Sequence, residues 1–156
     1  MRVDGSSHSD VSASGLRVAV VTSLFHASVT KGLTAGAVAW LEEADADEIL
    51  VIDAPGAFEL PLIAKKLAEI GYDAVVCLGA VIEGDTDHYE HVAGRTSEGI
   101  MRVQLDTGVP VGFGVLTVRS LPHAVERSQP GEHNKGREAA TAAVMAANVL
   151  RTLDHS

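Results

Sequence analysis

The sequence contains one cysteine, Cys77, which lies inside an apolar run. A single cysteine excludes an intramolecular disulfide, and a cysteine-based metal site is not expected. The seven histidines also lack the spacing of metal ligands, because His88 and His91 are three residues apart with no third ligand beside them. We therefore expect no bound metal. This cysteine usage suits a reducing compartment, so we expect the protein in the cytoplasm.

Positive charge is scarce as well. The chain has 12 lysines and arginines against 21 aspartates and glutamates, which gives a formal net charge of −9. A chain this acidic is not expected to bind nucleic acid or an anionic membrane surface. An anionic small-molecule substrate would need a locally positive pocket on this acidic body.

Long apolar runs are also missing, since none approaches the roughly 18 residues that a membrane-spanning helix needs. Residues 1–14 are polar and serine-rich, without the apolar centre of a signal peptide. We expect a flexible arm over residues 1–14. The rest of the chain, residues 15–153, is long enough for one domain and too short for two.

The order of the predicted elements indicates the fold class. Aromatic residues make up only 4% of the chain against 46% for all apolar residues, so aliphatic side chains dominate the predicted core. The strands are predicted at residues 16–22, 48–53, 73–78 and 109–116, and the helices around residues 29–41, 60–67, 92–105, 121–128 and 137–153. This alternation predicts an α/β domain, a flavodoxin-like three-layer αβα sandwich with a central four-stranded parallel sheet. Ligands of such a sheet bind in the loops at the carboxyl ends of the strands.

The loops after the first two predicted strands carry candidate binding residues. Phe25 follows the first strand and is either a stacking platform for a planar heterocycle or a core residue under the loop. Glu59 follows the second strand, in the first turn of a predicted helix, where a carboxylate complements the helix dipole. The same carboxylate, together with free backbone N–H groups, could instead hold a polyhydroxyl chain.

The segment after the third predicted strand, residues 79–88, has the features of an anion-binding turn. It contains two glycines that let the backbone approach a ligand, the hydroxyl of Thr86, and the start of a helix with free N–H groups. His88, at or just inside this helix start, is either a general base or an ordinary surface histidine. Asp85 and Asp87 are either ligand contacts or helix N-caps.

Two cations flank the loop of residues 129–134. Arg127 precedes it and Lys135 follows it. They are either ordinary surface charges or, if they turn toward the His88 loop, the local positive charge that an anionic substrate requires.

Four motifs together resemble the lumazine synthase family. They are residues 55–61 (Pro-Gly-Ala-Phe-Glu-Leu-Pro), residues 79–88 (Gly-Ala-Val-Ile through Gly-Asp-Thr-Asp-His), residues 113–117 (Phe-Gly-Val-Leu-Thr) and residues 134–140 (Asn-Lys-Gly through Glu-Ala-Ala). They occur in the family's order and spacing, and the resemblance covers residues 16–153. It implies the condensation of 5-amino-6-(D-ribitylamino)uracil with 3,4-dihydroxy-2-butanone 4-phosphate. The implied product is 6,7-dimethyl-8-ribityllumazine, the riboflavin precursor, and the implied chemistry needs no metal or organic cofactor.

The resemblance also implies a role for each site residue. The pyrimidine and its ribityl chain would contact Phe25, Ala57, Phe58, Glu59, Ala80, Val81, Ile82, Phe113 and Lys135. The phosphate would be held by Asp85, Thr86 and Arg127, and His88 would move protons. In the family the site lies between adjacent subunits of a pentamer, so the neighbour would supply Phe113 and is a candidate source of Arg127. The implied partners are the two small molecules and further copies of the chain, as a pentamer or a pentamer-based assembly up to an icosahedral shell.

Three departures from the family pattern bear on these expectations. Glu83 replaces the usual Arg beside the phosphate loop, and Leu24 stands where Arg is frequent. Residues 129–133 replace a Gly-Thr-Lys-rich turn that helps pentamers to close into a shell. The alternatives to the enzyme are a non-catalytic flavin- or lumazine-binding protein and a paralogue whose role is assembly. The presence of His88 together with Arg127 and Lys135 favours the enzyme.

Overall fold

A four-stranded parallel sheet with the strand order β2-β1-β3-β4 forms the centre of the molecule. The structure is a computed structural model that describes residues 10–155. Its strands are β1 (Arg17–Ser23), β2 (Glu48–Ala54), β3 (Ala74–Ile82) and β4 (Val111–Val118). Its α-helices are α1 (Ala27–Glu43), α2 (Leu60–Glu69), α3 (His88–Thr107), α4 (Leu121–Arg127) and α5 (Lys135–Asp154), and a short 3-10 turn, Ala57–Glu59, leads into α2.

Two separate apolar cores lie on the two faces of the sheet. On one face Val18 and Val20 of β1 pack with Leu33 of α1 and Val144 of α5. On the other face Val21 belongs to a core with residues of α2 and α3. Strands that are buried on both faces explain the nearly continuous apolar runs in the sequence. The predicted three-layer αβα sandwich is confirmed.

The C-terminus of α2 is formed by a glycine in the left-handed conformation. Gly71 has a φ of +109°. Its N–H donates to the carbonyl of Ala68 (3.4 Å), and the N–H of Tyr72 donates to the carbonyl of Leu67 (3.2 Å). These two bonds form a Schellman motif, which satisfies carbonyls that the helix end leaves free.

The predicted end of the third strand was wrong. Residues 79–82, which the sequence placed in a loop, pair in register with residues 115–118 of β4, so β3 continues to Ile82. Gly79 is therefore a strand residue, and a Cβ there would lie 2.7 Å from Ser23 Oγ, so this glycine serves packing rather than the approach of a ligand. The true loop is short, residues 83–87, and α3 begins directly after it at His88.

Residues 1–9 of the predicted arm lie outside the described residues. Within the remainder of the arm, Ala13 is fully buried and its N–H donates to the carbonyl of Ala44 at 2.7 Å. The carbonyl of Ser12 accepts a hydrogen bond from Asn148 Nδ2 (2.8 Å) in α5. This end of the arm is thus packed against the domain.

The strand order brings the candidate residues to one edge of the sheet. In an open parallel sheet, a ligand cleft forms where connections leave the sheet toward opposite faces, at the carboxyl ends of the strands. In the order β2-β1-β3-β4 this position is between β1 and β3. Nowhere in residues 10–155 is a helix long and apolar enough to cross a membrane.

Candidate active site

A cavity of about 330 Å³ opens at the carboxyl ends of β1, β2 and β3, and we call it the strand-end groove. Each of the first three strands, or the segment after it, contributes to its walls, and the first turns of α3 close it. Its lining comprises Phe25, His26, Gly56, Ala57, Phe58, Glu59, Ala80, Val81, Ile82, His88, Tyr89 and Val92. Eight of the predicted site residues meet here.

Phe25 is an exposed platform at the mouth of this groove. Its side chain is 67% exposed, so the alternative that it is a core residue is wrong. A Cβ on Gly56 would lie 3.3 Å from Phe25 Cε2 and 3.2 Å from Glu59 Oε1. The missing side chain of Gly56 therefore leaves room for both the Phe25 ring and the Glu59 carboxylate.

Glu59 lines the groove and also stands at the helix start where the sequence predicted it. It stands at the N-cap position of α2, but its side chain makes no capping hydrogen bond. The half-buried carboxylate lines the groove beside Phe58. A carboxylate accepts hydrogen bonds from hydroxyl groups, so this geometry suits a polyhydroxyl chain.

His88 and the loop before it form the α3 side of the groove. The backbone N–H of His88 donates to Thr86 Oγ1 at 3.3 Å. Asp87 occupies the N-cap position without a side-chain capping bond, and its carboxylate contacts His91 Nε2 at 3.3 Å instead. The alternative that the Asp87 side chain caps α3 is therefore wrong. Asp85 and Thr86 are exposed in this loop.

A second cavity of about 500 Å³ runs along the outer edge of β4, and we call it the edge groove. Phe113 lines it with a side chain that is 49% exposed. Arg127 and Lys135 line it from α4 and α5. The strand-end groove and the edge groove share no lining residue. Arg127 and Lys135 therefore do not turn toward the His88 loop of the same chain.

Within residues 10–155, the cations of the edge groove are paired with groups three or four residues away in the chain. Arg127 Nη1 donates to the carbonyl of His123 (2.9 Å), and Lys135 Nζ contacts Glu138 Oε2 (2.8 Å). Asn134 fixes the start of α5. Its Nδ2 lies 3.0 Å from each of three backbone carbonyl oxygens and donates its two hydrogens among them, and its Oδ1 accepts from the backbone N–H of Arg137 (3.0 Å). This N-cap holds Lys135 at the groove.

Glu83, the unexpected acidic residue, lies close to a cation. Its Oε2 is 3.9 Å from Arg119 Nε, and its N–H donates to the carbonyl of Val118 at 2.9 Å. The pair joins the ends of β3 and β4. It brings a positive charge to the same strand ends at which the sequence showed only a negative one.

The titratable groups with shifted pKa values lie away from both grooves. Burial raises the pKa of the Cys77 thiol to about 12, so this side chain is no nucleophile at neutral pH. The pKa of Glu48 is lowered by the Tyr72 hydroxyl and the Arg17 guanidinium at the amino end of the sheet. No cluster of three or more potential metal ligands occurs among the residues that the structure describes.

Four residues that line the strand-end groove were not among the predicted site residues. They are His26, Gly56, Tyr89 and Val92. Val92 follows from the start of α3 at His88, because a residue four positions on lies on the same helical face. Tyr89, one position on, does not share that face by helical periodicity. His26 adopts a left-handed backbone conformation, with φ 58° and ψ 55°. Histidine is one of the few non-glycine residues enriched in that conformation. The residue type at position 26 was therefore the only signal of this conformation in the sequence.

Comparisons with known proteins agree with this geometry. The chain matches the family described as 6,7-dimethyl-8-ribityllumazine synthase over residues 15–151. It is 45% identical over 153 residues to the 6,7-dimethyl-8-ribityllumazine synthase of Kineococcus radiotolerans, a match that covers 97% of this chain and 95% of that relative. Both matches include all four strands and both grooves. The chain therefore belongs to the 6,7-dimethyl-8-ribityllumazine synthase family.

Proposed function

We propose that the protein is a 6,7-dimethyl-8-ribityllumazine synthase. It condenses 5-amino-6-(D-ribitylamino)uracil with 3,4-dihydroxy-2-butanone 4-phosphate in the penultimate step of riboflavin biosynthesis. The observation that carries this proposal is the strand-end groove, in which an exposed aromatic ring, a carboxylate and an imidazole line one cavity, in a chain of this family. Phe25, Glu59 and His88 supply these three groups.

The strand-end groove accommodates the pyrimidine substrate. The exposed face of Phe25 stacks on the ring, as aromatic side chains do on planar heterocycles. The Glu59 carboxylate and the backbone of residues 57–59 hold the ribityl hydroxyls. Residues 80–82 end β3 at the cavity and contact the edge of the ring.

The phosphate and the second wall of the site require a second subunit. Asp85 and Thr86 are in the exposed loop beside His88, whereas Phe113, Arg127 and Lys135 line the separate edge groove. We infer that the strand-end groove of one subunit meets the edge groove of the next. Arg127 then supplies a bidentate donor for the phosphate on an otherwise acidic protein.

A ring of five subunits gives each strand-end groove a neighbour. We propose a pentamer, alone or within a pentamer-based assembly up to an icosahedral shell, as the working form. A head-to-tail contact between two different surfaces gives a ring when the rotation between neighbouring subunits closes, and this proposal requires closure at five. Exposed apolar side chains on α2 and α3, which include Leu62, Met101 and Leu105, support a covered surface. The cytoplasm, the compartment expected from the lone cysteine, remains part of the proposal.

His88 moves protons in the proposed reaction. Imine formation, loss of phosphate and ring closure with loss of water each require a proton to be taken from or given to a reacting atom. An imidazole that lines the cavity at the start of α3 lies on the same side as the phosphate loop. General acid–base help of this kind is typically worth about 10²–10⁴-fold in rate.

The turnover assay tests the proposal directly. Purified protein given both substrates is expected to form the fluorescent lumazine and to release one phosphate for each product molecule. Product fluorescence and free phosphate are followed in the same sample. Tight binding of the pyrimidine without turnover would contradict the enzyme and leave a non-catalytic binding protein or an assembly paralogue.

A further inference from the structure

The backbone of His26 adopts a conformation that histidine seldom takes. Its φ of 58° lies in the left-handed region, which side chains with a Cβ enter at a cost. Asp45, with a φ of 63°, is the other non-glycine residue with a positive φ in residues 10–155. Asp45 lies in the turn between α1 and β2, outside both grooves, whereas His26 lines the strand-end groove.

Helix capping does not account for the His26 side chain. His26 occupies the N-cap position of α1, yet its imidazole makes no capping hydrogen bond. The contribution of this residue to the helix comes from its backbone carbonyl, which accepts from the N–H groups of Val29 (2.9 Å) and Thr30 (3.0 Å). Any residue would provide that carbonyl, and glycine would provide it without strain.

The imidazole of His26 is also free of other partners. In the part of the chain that the structure describes, its ring nitrogens make no hydrogen bond or ion pair. The ring is exposed at the groove, directly after Phe25 in the chain. Strained backbone conformations that do not stabilise the fold are concentrated at binding and catalytic sites.

We propose that His26 is a second substrate-contacting imidazole of the strand-end groove and that it binds the polar edge of the heterocycle stacked on Phe25. This inference rests on the proposed function. The heterocycle is the chosen partner because His26 and Phe25 share the β1 end of the groove, whereas His88 and the phosphate loop belong to the α3 side. One imidazole nitrogen donates and the other accepts, which suits the adjacent carbonyl and amino groups of a pyrimidine.

Substitution by glycine separates the side chain from the backbone. His26→Gly keeps or relaxes the left-handed conformation and removes only the imidazole. We expect the Tm to be unchanged or higher and the KM for the pyrimidine to rise about tenfold, the size expected for one lost hydrogen bond. The KM for the sugar phosphate should stay the same. His26→Asn, which tolerates this backbone conformation and keeps a donor and an acceptor, should recover part of the loss.

Asp45→Gly is the matched control, because it makes the same backbone change outside the groove. It should leave both KM values unchanged. Equal KM values for His26→Gly and the wild type would overturn the proposal, and so would equal rises for both substrates. If the wild type shows no turnover, the proposed function fails by itself. Fluorescence titration with the pyrimidine then still tests His26, and equal Kd values for the wild type and His26→Gly would overturn its role.

Discussion

A single ion pair sets the local charge beside the proposed phosphate loop. Glu83 stands where lumazine synthases usually have Arg, and Arg119 lies 3.9 Å from it. Both side chains are well exposed, so the pair contributes at most about 1 kcal/mol to stability. The pair affects phosphate affinity more than it affects stability, because each of its two charges acts directly on a phosphate bound nearby.

Neutralising Arg119 and neutralising Glu83 should change phosphate affinity in opposite directions. We expect Arg119→Gln to raise the KM for the sugar phosphate and Glu83→Gln to lower it, each by a few-fold, with the KM for the pyrimidine unchanged. Both effects should shrink as salt is added, because exposed charges are screened. Steady-state kinetics at low and high ionic strength measures this. Shifts of the same sign in both variants would show that the pair does not face the phosphate.

At the scale of the elements, α3 contains two glycines, and packing against a neighbouring element requires only one of them. A Cβ on Gly99 would lie 2.8 Å from Pro61 Cγ of α2, whereas nothing lies within 4 Å of a Cβ on Gly94. Gly99 therefore permits the close contact between α2 and α3. Gly94 is exposed and has no such neighbour.

The same substitution at these two positions should have opposite effects. Gly94→Ala should raise the free energy of unfolding by about 0.5–1 kcal/mol, since alanine is the better helix former. Gly99→Ala should lower it by about 1–3 kcal/mol, because the rigid proline ring and the helix backbone must move apart. Urea unfolding of the two variants provides the measurement. A gain at both positions would mean that α2 and α3 are not in close contact.

The elements were largely predictable from the sequence, but their ends and mutual arrangement were not. Apolar periodicity located the four strands and the five α-helices found in residues 10–155. The extension of β3 to Ile82 depends on its register with β4, which no local pattern encodes. The left-handed conformation of His26 could not be predicted either, because residue type alone does not determine a backbone dihedral.

At the scale of the whole molecule, the candidate site residues divide between two surfaces. The resemblance identified Arg127 and His88 as members of one site, but the sequence could not say which of them share a subunit. That division depends on where α4 and α5 pack along β4, which is a long-range property of the fold. If the two surfaces carry parts of one site, as proposed above, the site is complete only in an assembly of copies.

Mixed assemblies test this arrangement. A subunit with His88→Ala has a defective strand-end groove, and one with Arg127→Ala has a defective edge groove. In random rings of equal mixture, about a quarter of the sites join two intact grooves. We therefore expect co-refolded mixtures to be more active than either variant alone. A mixture of His88→Ala with Glu59→Ala should show no such gain, because both residues line the same groove. Native mass spectrometry verifies that subunits have mixed. Verified mixed rings without recovered activity would mean that the two grooves do not meet between subunits.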